Sequence, residues 1–132
     1  MSAERYDFGD GLGPVPAHRH VNGGGWVADT AFVDQTATVG LFATVTGTAR
    51  VRDVVVLSGS ATVSGNSFVF GEAMVAGMVT GLAVVGGEAM VDGNSVIGGA
   101  AIVLGEVYGA TVMSGVVGPG TLAGAPWWGA RP

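Results

Sequence analysis

Cysteine and lysine are both absent from the 132 residues, and the five cations are all arginine: Arg5, Arg19, Arg50, Arg52 and Arg131. Without cysteine there is neither a disulfide framework nor a thiolate metal site. Between Asp53 and Ala130 there is no cation, only Glu72, Glu88, Asp92 and Glu106 besides Asp53 itself. Nucleic-acid binding rests on Lys and Arg neutralising phosphates, so this stretch argues against that partner. Charged residues make up 11% and hydrophobic residues 48%, too apolar a balance for a disordered acidic tail. Proline is scarce, at 5, and glycine does not recur at every third position, which excludes collagen. No run of about 18 residues is apolar and free of glycine, so no membrane-spanning helix is expected. Residues 1–10 have no basic segment followed by an apolar one and do not read as a secretory signal.

What the chain has in excess is glycine: 25 of 132 residues, about 19% against an ordinary share of about 7%. That composition disfavours helices, where each interior glycine costs roughly 1 kcal/mol. The glycines are periodic. The unit Gly-x-Ala/Ser-x-Val/Ile starts at Gly47, Gly59, Gly65, Gly71, Gly81, Gly87, Gly93 and Gly99, mostly six residues apart. The aliphatic position runs through Val27, Val33, Val39, Val45, Val51, Leu57, Val63, Val69 and Val75 without a break. A period of six matches no helix, but it suits short strands joined by turns, each strand placing the same residue type inward. Three such sides close a triangular coil of 18 residues. Valine packs well on a pleated surface. The small Ala or Ser two positions earlier also points inward, because strand side chains alternate. Glycine fits the corner because positive φ costs it little, with Asn and Asp next best, as at Asn66 and Asn94. Two steps, Gly77 to Gly81 and Gly105 to Gly109, advance four residues instead of six, and are read as shortened or bulged corners.

These repeats resemble the hexapeptide-repeat, left-handed β-helix proteins, including uncharacterised ones of phages and bacteria. The expected fold is all-β: a single-stranded, left-handed parallel β-helix of about five coils, roughly 25 Å tall at 4.7–4.9 Å per strand. It should occupy residues 26–120. Solenoid ends need covering because an open coil is an exposed sheet edge. Residues 1–25 are read as an N-terminal leader or cap running into Trp26, and residues 121–132 as a C-terminal cap with Trp127 and Trp128 over the last coil.

The resemblance implies an acyltransferase with a CoA-type donor as the enzyme hypothesis, with His18 or His20 as general base across a subunit boundary. Stabilisation by acetyl-CoA would detect it. The repeats, however, hold no His, Cys or Lys to titrate near neutrality. Carbonic anhydrases of this fold use three zinc-binding histidines per subunit, and the chain has two. His18 and His20, at i and i+2, are the weak candidates for a metal site, with Asp7, Asp10 or Asn22 as further ligands; otherwise they belong to a capping segment in which their rings hydrogen-bond to the Gly23–Gly25 backbone, or they lie exposed. Glu72 and Glu88 read as corner charges. No cofactor is expected. An ice-binding face, a lesser alternative, would need stacked threonines, and Thr44 and Thr62 are 18 residues apart with Thr80 displaced by the slip.

The outward centre of each side is the residue before the aliphatic position: Phe32, Thr38, Thr44, Arg50, Val56, Thr62, Phe68, Met74, then Val84, Met90, Val96 and Ile102. From Phe68 onward the series is apolar, where a wet sheet should alternate. Phe68, Met74, Val84, Met90, Val96 and Ile102 are therefore the expected oligomer or partner interface, unless the slips turn them into the core. The resulting expectation is a non-enzymatic structural or binding solenoid, an oligomeric surface, fibre or virion-decoration module. The resemblance favours a homotrimer, and possible partners include a capsid surface. The compartment reads as cytoplasmic or virion-associated.

Overall fold

In the computed structural model, residues 5–8, 13–92, 95–118 and the strand Leu122–Gly124 are described. They form only strands and turns, with no helix, and therefore none long and apolar enough to cross a membrane. The strands are two or three residues long except for Pro14–Arg19, and each repeat unit contributes one. Successive units lie on three different sheets, so the chain winds as a three-sided β-solenoid with parallel pairing from coil to coil.

Face 1 stacks Trp26–Ala28, Thr44–Val45, Thr62–Val63, Met78–Val79, Val96–Ile97 and Thr111–Val112. Face 2 stacks Phe32–Val33, Arg50–Val51, Phe68–Val69, Val84–Val85, Ile102–Val103 and Val116–Val117. Face 3 stacks Thr38–Val39, Val56–Leu57, Met74–Val75, Met90–Asp92, Glu106–Tyr108 and Leu122–Gly124. Six parallel strands on each face make five coil-to-coil steps.

The inward residue of most strands, from Val27 through Val103, is fully buried, and the small residues two positions earlier complete the core, among them Ala37, Ala49, Ala61, Ala73 and Ala101. Ser67 and Ser95 occupy the small inward position as polar exceptions. Each hydroxyl donates to a nearby corner carbonyl, Ser67 to Ser64 at 2.7 Å and Ser95 to Asp92 at 2.5 Å. The burial of these hydroxyls is thus compensated.

Corners explain the glycine. Gly65 has φ +71°, and a Cβ there would lie 2.8 Å from the backbone nitrogen of Gly81 directly below. Both the left-handed conformation and the close stacking of corner on corner require the absence of a side chain. Asp53 takes the same conformation, with φ 62°. Its N–H donates to the Asp34 carboxylate at 2.7 Å, and its own carboxylate accepts the Gly71 N–H at 3.0 Å. The carboxylates thus bridge three successive coils at one corner.

Both four-residue steps are shortened corners. Only Ala76 and Gly77 separate Met74–Val75 from Met78–Val79, and only Leu104 and Gly105 separate Ile102–Val103 from Glu106–Tyr108. Pairing survives because the coil contracts. Val45 pairs with Val63, eighteen residues on, whereas Val63 pairs with Val79, sixteen residues on. A Cβ on Gly77 would lie 2.3 Å from the Ser95 carbonyl oxygen, so the tight corner accepts only glycine.

At the N-terminal end, Arg5–Asp7 and Pro14–Arg19 continue face 1 as an antiparallel extension beyond Trp26–Ala28. The following loop covers the start of face 3: Gly25 N–H donates to the Val39 carbonyl at 3.0 Å, and Val39 N–H to the Asn22 carbonyl at 3.0 Å. Backbone groups that would otherwise be a sheet edge are thereby paired. Trp127 and Trp128 lie outside the described residues, as do Asp10 and Asn94.

Candidate functional site

Two-residue strands leave one side chain in and one out, so the outer skin of the prism consists of three columns of residues spaced at about 4.8 Å. The apolar outward residues face solvent; the slips do not turn them inward. Met74 is 46% exposed, Met90 42% and Ile102 38%, while Phe68, Val84 and Val96 are half-buried among their neighbours.

The six residues expected at the oligomer or partner interface are distributed over all three faces. Phe68, Val84 and Ile102 stack in register on face 2. Met74 and Met90 stack on face 3. Val96 stands on face 1 beside Met78 and Thr111. The division follows from the solenoid itself, since consecutive repeat units occupy consecutive faces. Face 2 is the most apolar column: Phe32, Phe68, Val84, Ile102 and Val116, interrupted by Arg50. Phe70, at the adjoining corner, stacks on Phe68 with ring centroids 5.1 Å apart. A shallow cleft of about 340 Å³ lies beside Arg50, lined by Thr48, Asn66, Ser67 and Phe68. Two members of these faces were not singled out from the sequence: Met78, displaced into the face-1 column by the shortened corner, and Val116.

Charge is unevenly placed around this skin. Arg50 and Arg52 belong to the second coil. Arg52 Nε lies 3.5 Å from Asp34 Oδ2, and its guanidinium lies 5.6 Å from the Phe32 ring centroid. Glu72 and Glu88 occupy the same corner one and two coils later, both exposed.

The threonine column is short. Thr44 and Thr62 pair on face 1, but Met78 follows, and the Thr80 hydroxyl instead lies 3.1 Å from that of Ser64 at the next corner. At the N-terminal end, Trp26 stacks on Tyr6 with centroids 4.8 Å apart, and the Arg19 guanidinium lies 4.6 Å from the Trp26 ring centroid. With Leu41, Phe42 and Thr44 these residues line a shallow depression of about 350 Å³.

The two histidines do not converge. His18 Nδ1 is 2.8 Å from Asp29 Oδ1 in a surface pair. The buried His20 donates from Nε2 to the Ala37 carbonyl at 2.8 Å, which ties the N-terminal loop to the first coil. The expected hydrogen bonds from the rings to the Gly23–Gly25 backbone are replaced by these partners. His20 instead meets that segment through its main chain, its N–H donating to the Gly25 carbonyl at 2.8 Å. Among the described residues no group of three or more His, Cys, Asp or Glu is placed to hold a metal ion.

Comparison with protein-family models, with curated proteins and with solved structures yields no match, so the chain's own geometry carries the functional reading.

Proposed function

We propose that the protein is a non-enzymatic structural or binding solenoid that works as an oligomer, its apolar faces packing side by side to build a surface, fibre or decoration module. One observation carries this reading: five of the six stacked outward residues of face 2 are apolar, and Phe32, Ile102 and Val116 are exposed to 49%, 38% and 66%. From Phe68 to Val116 the strip is unbroken, and an exposed apolar strip of this kind marks a surface for protein association. The short parallel strands hold it flat and repeat it at each coil. Residues of the same kind on face 3, Met74 and Met90, add flexible thioether side chains that adapt to a partner.

The test is the solution mass of the purified protein by light scattering. An assembly of more than one chain is expected. Ile102→Asp on face 2 or Met90→Asp on face 3 should reduce it to single chains while the β spectrum and melting transition persist. A wild-type protein that is monomeric at tens of micromolar, or an assembly indifferent to both substitutions, overturns the reading.

A further inference from the structure

We propose that the cleft beside Arg50 binds an acidic sugar, its carboxylate held by the Arg50 guanidinium and its ring lying on Phe68. This goes beyond the oligomeric reading, which rests on the apolar strip of face 2, and does not depend on it.

Arg50 stands apart from the other described arginines. Arg5 donates to the Pro14 carbonyl at 3.1 Å, Arg19 donates to the Gly24 carbonyl at 3.0 Å, and Arg52 lies against Asp34. The Arg50 side chain is exposed at the cleft, and among the described residues nothing forms a hydrogen bond or ion pair with its guanidinium. The chain carries a net charge of −5, yet among the described residues no acid lines this cleft. Asp29, one coil up at the corner where Thr48 stands, is held by His18, and Asp34, just beyond Phe32–Val33, by Arg52. A planar fork of N–H donors therefore faces a concavity without a counter-charge, and a carboxylate matches that fork.

The rest of the lining adds a donor and an apolar wall. The Thr48 hydroxyl donates to Asn66 Oδ1, which leaves the Asn66 NH2 group to donate outward. The buried Ser67 hydroxyl is already spent on the Ser64 carbonyl. Phe68 is half-buried and backed by Phe70 at 5.1 Å. Phe70 in turn lies over Gly86, where a Cβ would come within 2.2 Å of its ring, so packing holds the aromatic wall in place. The C–H groups of a sugar ring carry slight positive charge and suit the negative face of an aromatic ring, while the ring hydroxyls accept from Asn66. At about 340 Å³ the cleft is at the small end of small-molecule sites, roughly 300–1,000 Å³. Inorganic phosphate would engage Arg50 but leave Phe68 unused, and a neutral sugar would leave the guanidinium unpaired. An acidic sugar satisfies the fork, the amide and the ring together.

The experiment is a titration of the isotope-labelled protein with galacturonate, galactose and inorganic phosphate at one ionic strength, followed through backbone amide resonances. Galacturonate should saturate, with shifts centred on Thr48, Arg50, Asn66 and Phe68. Galactose and phosphate should each bind at least about tenfold more weakly, and Arg50→Gln should weaken galacturonate by at least about tenfold, as expected for loss of a charged hydrogen-bonding partner. Arg50→Lys, which keeps the charge and loses the fork, should fall between, and Phe68→Leu should weaken binding several-fold with the β spectrum unchanged. Phosphate or galactose binding as tightly as galacturonate overturns the acidic-sugar assignment. Absence of saturation, shifts centred elsewhere, or indifference to Arg50→Gln overturns the site itself. None of these outcomes touches the oligomeric reading, which is decided by the mass of the Ile102→Asp and Met90→Asp proteins.

Discussion

The coils before Ala76 and those after it share one interior and differ in their outer skin. Inside, Val45, Val63, Val79 and Ile97 succeed one another in the same column, all fully buried. Outside, the early coils mix Thr38, Thr44, Arg50 and Thr62 with Phe32, Val56, Phe68 and Met74, whereas the coils that follow show Met78, Val84, Met90, Val96 and Ile102 in unbroken succession. The early coils are eighteen residues around, the coil that contains the short corner is sixteen, and the next is eighteen again. The solenoid therefore tolerates changes in circumference and surface so long as the inward residues stack. Its folding depends on the inner column and the corners, which leaves the outer columns available for association.

This division can be broken most severely at the junction. Gly77→Val drives a side chain onto the Ser95 carbonyl and should cost more than about 4 kcal/mol, among the largest single-residue effects; denaturant titration measures it. If stability is unchanged, the tight corner is not what joins the two regions. Leu57→Ala in the early region and Ile97→Ala in the later one should each cost about 2–5 kcal/mol, since both side chains are fully buried. A much smaller cost at Ile97 would mean that the contracted coils pack less closely than the wide ones. Asp53→Ala removes the acceptor of the Gly71 N–H and leaves a non-glycine residue at positive φ, so a loss of roughly 1–3 kcal/mol is expected. Asp53→Asn should recover most of it. The smallest effect on chain stability should come from face 3. Thr38→Asp and Met90→Asp are both outward and should each shift unfolding by less than about 0.5 kcal/mol when compared as single chains. Only Met90→Asp should lower the mass of the assembly, and equal behaviour of the two would erase the functional distinction between the regions.

The core was legible because burial repeats at a fixed interval: Val27 to Val75 announce themselves by a six-residue spacing that no helix shares. The breaks at Gly77 and Gly105 were visible as irregularities, but a missing pair of residues at a corner and a bulge look alike in one dimension. Thr80 illustrates the consequence. Extrapolating the eighteen-residue coil places it under Thr62, yet the shorter coil puts Met78 there and sends Thr80 to the corner beside Ser64. His18 and His20 were paired by their spacing along an extended strand. The chain bends at the end of that strand, so that one ring meets Asp29 and the other turns inward to Ala37.

The sequence by itself determined that this chain is a three-sided solenoid of short strands, because a repeated inward aliphatic, a small residue and a corner glycine are local requirements renewed in every unit. Which outward residues become neighbours was decided only by the tertiary structure. Residues that touch on a face are separated by one whole coil, and the circumference of that coil is set by how tightly Ala76–Gly77 and Leu104–Gly105 turn against the backbone beneath them.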